Sequence, residues 1–359
     1  MKNQKRLTIR DIAEAAGVSA ATVSLVLNGK GEISGVTRAR VLEAVSRLNY
    51  VPRVNRTGSD PTVTLRFLKI SKHGKTVNRD HSVFISDYID GMSAEATRRG
   101  YKLEVVSFEE QPISAVAESL AGAPVAGVVV LGTELSENDI RLIQGIGHPT
   151  VFIDTFYEIV DANFVDMNNE DAVFKALERF QKQGFERIGF VASHAETVNF
   201  RLRQDAFFKN MSRLNLPVDE RSVLYVESTF EGAYRDTAAH LSRGNTLAEC
   251  YFCTNDVIAF GFIRALRERG ISIPDDVSVI GFDNLPQSAT MEPGLSTIDV
   301  SKRKIGYLAV AVLDDLILAA EPQPPVKILV GADLVLRASH ERVVAKATEK
   351  QRTREKQPA

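Results

Sequence analysis

The middle of the chain alternates short apolar runs with helical patterns, and this alternation limits the folds that it can adopt. The β-type runs occur at 65–70, 103–108, 127–131, 150–154, 187–192, 223–226, 250–254 and 277–283. Helical patterns separate most of them, for example at 169–183, 201–214, 231–241 and 257–269. Strands that are apolar along their whole length and alternate with helices are typical of parallel sheets covered on both faces. Eight such units exceed one open sheet of usual size, so the pattern predicts two α/β lobes.

The first fifty residues follow a different pattern, that of three short helices. Gly17 is placed to end the first helix, because glycine adopts the left-handed conformation of a helix end at little cost. Ser19 is placed to cap a second helix over 20–27, and a third is predicted over 37–48. The residues expected to form the core of these helices are Ile12, Val18, Val23, Leu27, Val41, Leu42, Val45 and Leu48. Two helices joined by a three-residue turn are the motif whose second helix enters the major groove of DNA.

The charges divide unevenly between this head and the rest of the chain. Residues 1–60 hold ten Lys and Arg against five Asp and Glu, a net charge of +5, whereas the remainder carries −7. A basic head on an acidic body indicates a polyanionic partner, although a solvated charged segment has the same composition. We therefore expect a DNA-binding domain at 1–50, a linker at 51–62, a two-lobed α/β domain at 63–340 and a disordered charged tail at 341–359.

Several classes of protein lack support in the sequence. No run of about 18 apolar residues is present, and the N-terminus has no apolar signal region, so we expect a cytoplasmic protein. Cys250 and Cys253 lie in a predicted strand, where their side chains point to opposite faces, which argues against a redox pair or a zinc site. Phosphate-binding loops, nucleophile elbows and zinc-protease motifs are missing, so we expect no enzyme activity, no cofactor and no metal.

The strings TIRDIAEAAGVSAATVSLVLNG and VTRARVLEAVSRLNYVP resemble the head of the lactose/galactose-repressor (LacI) family of bacterial transcription regulators. The resemblance extends along the whole chain. It implies an α/β fold, with a two-lobed effector domain similar to periplasmic binding proteins, made of two doubly wound parallel sheets, behind an all-α helix-turn-helix domain. It also implies a homodimer that binds double-stranded operator DNA and represses transcription under the control of a sugar or sugar derivative.

The resemblance implies DNA contacts from the second helix. The positions that match the family's polar contacts to the DNA backbone are Ser19, Thr22, Ser24 and Asn28. The positions that match its base readers are Ala20, Ala21 and Leu25. Apolar side chains there can meet only apolar features of the groove, chiefly the thymine methyl group. For Leu25, packing inside the head is an equally good alternative.

The linker departs from the family pattern. Relatives carry a hinge helix whose Leu wedges into the minor groove and kinks the duplex. Here Ser59 stands at the position of that Leu, and Gly58 and Pro61 oppose a helix. We therefore expect an atypical hinge that bends the operator little.

Polar residues follow the predicted strands, where parallel sheets bind their ligands. The segments at these strand ends are 71–74, 132–134, 154–157, 193–194, 254–256 and 283–284. Their hydroxyl, amide, carboxylate and aromatic groups suit a sugar, which needs polar partners for its hydroxyls and an aromatic face for its C–H surface.

The resemblance selects some effector-binding candidates, and a strand-end aromatic adds another. Arg203 stands at the family's ligand-binding Arg, Asn255 and Asp256 at a strand-end pair, and Asp283 at a later strand-end Asp. The aromatic candidates are Phe84, which follows the family pattern, and Phe156, which follows a predicted strand with Tyr157. The alternatives are a helix cap for Asp256, a turn cap for Asp283 and core packing for the aromatic residues.

The loop at 72–81 is basic, which hints at an acidic or phosphorylated sugar, although a solvated surface loop explains the composition equally well. Two other functions share the expected fold of the body. One is a sugar-binding transport protein, and the other is an α/β sugar-modifying enzyme.

Overall fold

The chain forms two compact units, Met1–Thr62 and Val63–Ala359. The computed structural model describes residues 9–27, 33–47 and 63–341. The predicted linker, with its atypical hinge positions Gly58 and Ser59, lies outside the described residues, and so do Asn28 and the predicted tail beyond residue 341.

The first unit contains α1 (Ile9–Ala16), α2 (Ala20–Leu27) and α3 (Gly35–Arg47). Gly17 ends α1 in the predicted left-handed conformation, with φ of 64°. The Ser19 hydroxyl caps α2 by accepting the Thr22 N–H at 3.0 Å. Ser34 accepts the Thr37 N–H in the same way at 3.3 Å, so α3 begins two residues before the predicted start.

The core of this unit is built from small and β-branched side chains. Its fully buried members are Ile12, Val23 and Val41, packed with Ala13, Ala16, Val26 and Ala44. The expectation that Leu42 joins this core is wrong, because its side chain is 50% exposed. Arg40 and Arg47 of α3 donate to the carbonyls of Gly17 and Ala15, where positive charge stabilises the end of α1.

Residues 63–341 form two lobes, each with one six-stranded sheet. The strands are β1 (Thr64–Ser71), β2 (Lys102–Glu109), β3 (Gly127–Leu131), β4 (Thr150–Ile153), β5 (Asn163–Met167), β6 (Ile188–Ser193), β7 (Val223–Val226), β8 (Cys250–Cys253), β9 (Ser278–Phe282), β10 (Ser296–Val300), β11 (Lys327–Val330) and β12 (Ala332–Val335). The order is β11-β5-β4-β3-β1-β2 in lobe 1 and β12-β10-β9-β8-β6-β7 in lobe 2. Neighbouring strands are parallel except for β12, which runs antiparallel to β10.

Helices cover these sheets. They are α4 (Ser82–Arg99), α5 (Ile113–Leu120), α6 (Glu137–Gln144), α7 (Asn169–Lys182), α8 (Val198–Arg213), α9 (Phe230–Ser242), α10 (Asp256–Glu268), α11 (Pro286–Thr290) and α12 (Lys302–Leu318). None of the described helices is long and apolar enough to cross a membrane. The predicted pair of α/β lobes is confirmed.

All eight predicted strands are present, and four further strands were missed. β5 and β10 contain polar residues, including the buried Asp166 and Thr297, which interrupt the apolar runs. β11 and β12 are short edge strands of four residues each. Cys250 and Cys253 are both buried and belong to the cores on opposite faces of β8.

Within residues 63–341 the chain passes between the lobes three times, after β5, after β10 and between β11 and β12. Hydrogen bonds join these passages. The Asn168 N–H donates to the Val330 carbonyl at 2.8 Å, and the Ser301 hydroxyl donates to the Gly331 carbonyl at 3.1 Å. Adjacent short connections of this kind act as a hinge about which two packed bodies can rotate.

The helices α4 and α12 of lobe 1 pack closely through two glycines. A Cβ atom on Gly91 would overlap the backbone of Arg303, and one on Gly306 would overlap the carbonyl oxygen of Tyr88. Because backbone atoms occupy both positions, a larger side chain cannot be accommodated by a change of rotamer.

We predict that Gly306→Ala forces α4 and α12 apart and lowers the free energy of unfolding by about 1–3 kcal/mol. Chemical denaturation monitored by circular dichroism measures this loss. Gly331→Ala is the matched control, because nothing lies within 4 Å of a Cβ at that position. Equal stability of the Gly306→Ala variant and the unaltered protein would contradict the close helix packing.

Candidate functional site

A buried polar cluster lies where the carboxyl ends of the two sheets meet, and both lobes contribute to it. Asp154 follows β4 and Asp166 lies in β5, on the lobe 1 side. Arg203 lies in α8 and Asp283 follows β9, on the lobe 2 side. The structure brings Arg203 and Asp283 together, with 3.8 Å between Nη2 and Oδ1.

The guanidinium of Arg203 lies at the centre of this cluster, and its side chain is 4% exposed. Its Nε donates to the Asn169 side-chain oxygen at 3.0 Å, and its Nη1 donates to the Thr254 carbonyl at 2.8 Å. The Phe282 ring lies beneath it, with Cζ 3.7 Å from the ring centroid. The planar group is therefore fixed on its edge and on its face, which favours bidentate recognition of a ligand.

Asp283 occupies a strained position at the end of β9, with φ of 119°. Its carbonyl accepts from the Lys302 ammonium at 2.6 Å. Its Oδ1 is buried and has no hydrogen-bond partner among the described residues. Burial raises the pKa of Asp283 to about 8, although the nearby Arg203 charge acts in the opposite direction.

Asp154 and Asp166 form a second carboxylate pair, bridged by the Asn199 amide. Asn199 Nδ2 lies 3.2 Å from Asp154 Oδ1 and 3.4 Å from Asp166 Oδ1. Asp154 also accepts from Tyr88 and Thr133, whereas Asp166 Oδ2 is buried without a hydrogen-bond partner in the described part of the chain. Burial raises the pKa of both carboxyls, and the charge of Asp154 raises that of Asp166 further.

Neither of these two carboxylates was predicted from the sequence to bind the effector. Asp154 lay within a strand-end segment but was not chosen. Asp166 belongs to a strand that was missed, and the signal for it is a carboxylate inside the otherwise apolar stretch NFVDM. A charged residue that is fully buried requires a polar partner, and this distinguishes it from a surface charge.

Asn255 and Asp256 form hydrogen bonds with other residues of the protein. The Asn255 oxygen caps α10 by accepting the Ile258 N–H at 2.9 Å, and its amide nitrogen lies 3.0 Å from His81 Nε2. Asp256 accepts from one backbone N–H and two hydroxyls, those of Leu285, Ser288 and Thr297, at 2.6–2.8 Å. Both Asp256 oxygens are thus occupied, which is a structural role that joins α10 to two other segments of lobe 2.

The aromatic candidates pack against protein side chains. Phe84 contacts Tyr88 edge to face at 5.1 Å between ring centroids, and the Lys302 ammonium lies 5.2 Å from its ring. Phe156 is half-buried against Phe164, with 6.0 Å between centroids. The Tyr157 hydroxyl donates a hydrogen bond to the Leu135 carbonyl. Core packing therefore describes Phe84, and Phe156 retains some exposed surface.

The basic loop at 72–81 encloses the carboxylate of Glu134. Backbone N–H groups of five loop residues donate to the two Glu134 oxygens at 2.7–3.2 Å, namely those of Lys72, His73, Gly74, Thr76 and Val77. Burial alone would raise the pKa of Glu134, but these N–H groups outweigh burial and lower it to about 2. The backbone N–H groups of this basic loop are therefore occupied by a carboxylate of the protein.

The same loop connects lobe 1 to lobe 2. The Ser228 hydroxyl donates to the Lys75 carbonyl at 2.5 Å, and His81 meets Asn255. Burial lowers the pKa of His81 to about 4, so its imidazole is neutral at pH 7. The Phe230 N–H also donates to the Asp80 carboxylate at 3.4 Å, so several hydrogen bonds of the loop join the lobes at the edge of the cleft.

The predicted DNA-reading helix α2 presents a small, largely apolar surface. Ala20 and Ala21 are exposed, and Leu25 is 40% exposed, so the alternative that Leu25 packs inside the head is wrong. The Ser19 and Thr22 hydroxyls lie 2.8 Å apart at the start of the helix. The side chain of Ser24 and all of Asn28 lie outside the described residues.

Two sequence profiles match the chain. One, described as bacterial regulatory proteins of the lacI family, matches residues 8–53, and one for a periplasmic binding protein-like domain matches residues 177–340. The chain is 31% identical over 318 residues to the HTH-type transcriptional repressor PurR of Vibrio parahaemolyticus, covering 85% of this chain and 90% of that protein. It is 29% identical to the PurR repressor of Actinobacillus pleuropneumoniae serotype 3, covering 92% and 98%.

Solved structures of similar fold include transcription regulators. A complex of the regulator CelR with cellobiose has a TM-score of 0.68 and 23% identity, covering 93% of this chain and 100% of that chain. A lac repressor dimer bound to operator and the anti-inducer ONPF also has a TM-score of 0.68, with 24% identity, covering 93% and 99%.

We predict that Glu134→Gln destabilises the loop at 72–81, because an amide offers one acceptor oxygen where the carboxylate offers two. The expected loss of unfolding free energy is about 2–4 kcal/mol at pH 7. Since the pKa of Glu134 is lowered on folding, the stabilisation that its carboxylate gives the unaltered protein is present above pH 4.5 and disappears as the pH falls towards 2.

Denaturation at several pH values, with hydrogen exchange of the loop amides, measures both effects. Glu137→Gln is the matched control, because its carboxylate is exposed and pairs with Arg141 on the helix surface. Unchanged exchange at the loop amides in Glu134→Gln would contradict the prediction.

Proposed function

Because this chain belongs to the LacI family of bacterial regulatory proteins, we propose that it represses transcription and that a small molecule bound between its lobes controls its affinity for operator DNA. The observation that carries the ligand response is the buried cluster around Arg203, in which carboxylate oxygens of Asp166 and Asp283 have no hydrogen-bond partner within the described residues. The transport protein and the sugar-modifying enzyme are set aside, because the relatives are transcription repressors.

The DNA half of the proposal rests on α2. Its exposed residues Ala20, Ala21 and Leu25 fit a groove surface with apolar features, and the hydroxyls of Ser19 and Thr22 suit phosphate oxygens. One head covers one half-site, so a two-fold dimer on a palindromic operator is the assembly that we propose. The protein acts where bacterial DNA is found, in the cytoplasm.

The ligand half rests on the chemistry of the cleft. Carboxylates accept hydrogen bonds from hydroxyl groups, and the Arg203 guanidinium donates to adjacent oxygens. Phe156, with its remaining exposed surface, supplies an apolar contact near the end of β4. A sugar or sugar derivative combines these features, so we propose this class of effector, with Arg203 and Asp283 as its main contacts and Asn255 beside them.

The response follows from the division of the site between the lobes. A ligand that contacts both Asp154 and Arg203 has a different affinity for each relative position of the lobes. Linkage then requires that the ligand shift the equilibrium between these positions, and that operator DNA shift it in return. Rotation about the three passages is the movement that would reach the heads of a dimer.

We predict that Leu25→Ala lowers affinity for the specific operator about tenfold, because burial of three carbon atoms against the groove is lost. Affinity for non-specific DNA should stay constant, since phosphate contacts determine it. Leu42→Ala is the matched control, as the same substitution at another exposed position of the head. Fluorescence anisotropy with operator and scrambled duplexes gives both affinities, and equal losses in the two variants would count against a groove contact.

We predict that Arg203→Lys weakens effector binding at least about tenfold while operator binding without effector persists. Lysine keeps the positive charge but lacks the planar fork that contacts several acceptors at once. The control is Arg201→Lys, because Arg201 lies two residues away on α8 and is exposed. Effector titrations of the operator complex in gel shifts compare the two, and a normal effector midpoint in Arg203→Lys would show that the site lies elsewhere.

A further inference from the structure

The buried charges around the cleft do not balance. Among the described residues of this region, the buried carboxylates are Asp154, Asp166, Asp256 and Asp283, and the buried cations are Arg203 and Lys302. Ionisation of all four would leave two negative charges without a positive partner. Burial and neighbouring carboxylates raise the pKa of Asp166 and that of Asp283 to about 8, so both groups ionise fully at pH 7 only when a further cation lies beside them. Burying a carboxylate without such a partner is costly.

The imbalance concentrates at two carboxylates. Asp256 accepts three hydrogen bonds and Asp154 accepts from three side chains, so donors surround both groups. Asp166, which is fully buried, and Asp283, which is 4% exposed, each keep one oxygen without a hydrogen-bond partner within the described chain.

The two buried cations of this region, Arg203 and Lys302, already donate hydrogen bonds to protein groups. Arg203 uses Nε and Nη1 on Asn169 and Thr254, and its Nη2 stays 3.8 Å from Asp283 Oδ1, beyond hydrogen-bond distance. The Lys302 ammonium donates to the backbone carbonyl of Asp283 and not to its carboxylate. The charges of Arg203 and Asp154 influence the pKa of Asp166 and that of Asp283. The four groups therefore interact electrostatically with one another.

We propose that the effector is a polyhydroxylated molecule that carries a protonated amine, such as an amino sugar, and that its positive charge is balanced by Asp166 and Asp283. This inference rests on the proposed function and specifies the ligand class of the same site. An ammonium group supplies the missing charge and up to three donors for the unpartnered oxygens. Hydrogen bonds of this charge-assisted kind are about twice as strong as neutral ones.

The other two ligand classes fit less well. An acidic or phosphorylated sugar would add negative charge to a region that already has an excess of it, and the loop amides that would offset it are bound to Glu134. A neutral sugar can form hydrogen bonds with the carboxyl groups, but it supplies no positive charge that would allow both of them to ionise.

Isothermal titration calorimetry of the full-length protein against matched sugars tests the proposal. The probes are glucose, galactose and mannose, the corresponding 2-amino sugars, the uronic acids and the 6-phosphates. We expect at least one amino sugar to bind about tenfold or more tightly than its neutral parent, and the anionic members to bind more weakly still. A neutral or anionic sugar that binds as tightly as its amino counterpart overturns the proposal, and so does a panel in which no amino sugar binds.

Asp166→Asn links the preference to the carboxylate. The variant should bind the amino sugar and its neutral parent within about threefold of each other, because one of the two unpartnered charges is removed. Asp161→Asn is the matched control at an exposed position before β5, and it should keep the full preference. A preference that survives Asp166→Asn unchanged, in protein whose circular dichroism spectrum is normal, overturns the assignment.

Operator gel shifts with the same compounds separate this inference from the proposed function. A neutral or acidic sugar that binds and changes operator affinity overturns the amine requirement and leaves the regulator intact. A protein that binds no operator DNA overturns the proposed function itself.

Discussion

One guanidinium offsets several buried carboxylates where the two sheets meet. Arg203 is buried, its edge is hydrogen-bonded to Asn169 and Thr254, and its face lies on Phe282. Burial raises the pKa of Asp154, Asp166 and Asp283, and the positive charge of Arg203 opposes that increase for all three carboxyls. The contact between lobe 1 and lobe 2 at this point therefore includes a buried charge that α8 supplies.

This dependence connects the chemistry of the cleft to the movement of the lobes. Asp154 and Asp166 belong to lobe 1, whereas Arg203 and Asp283 belong to lobe 2, so any relative rotation changes the distances between opposite charges. A ligand that adds charge or donors at this point changes the energy of each lobe position by a different amount. That difference is the free energy by which a ligand can shift the equilibrium between the lobe positions.

Much of this fold could be predicted from the sequence, for identifiable reasons. Strands buried on both faces leave continuous apolar runs, which is why eight of them were found, whereas the polar residues of β5 and the short edge strands conceal the rest. The candidate site was predictable only in part. Arg203 and Asp283 follow from the family pattern, but the role of Asp256 depends on donors 29–41 residues further along the chain, whose proximity only the folded structure reveals.

The basic loop shows why local composition is a poor guide to the charge of a cleft. Its lysines and histidines suggest an anion site, yet the strongest donors of the loop are its backbone N–H groups, which turn inward onto Glu134. The side-chain charges remain at the rim, where water screens them, and Lys72 pairs with Asp139. Buried groups are screened far less than exposed ones, so the carboxylates inside the cleft outweigh the lysines around it. The preference for a positively charged ligand that we propose would thus suit the buried carboxylates and not the basic loop that borders them.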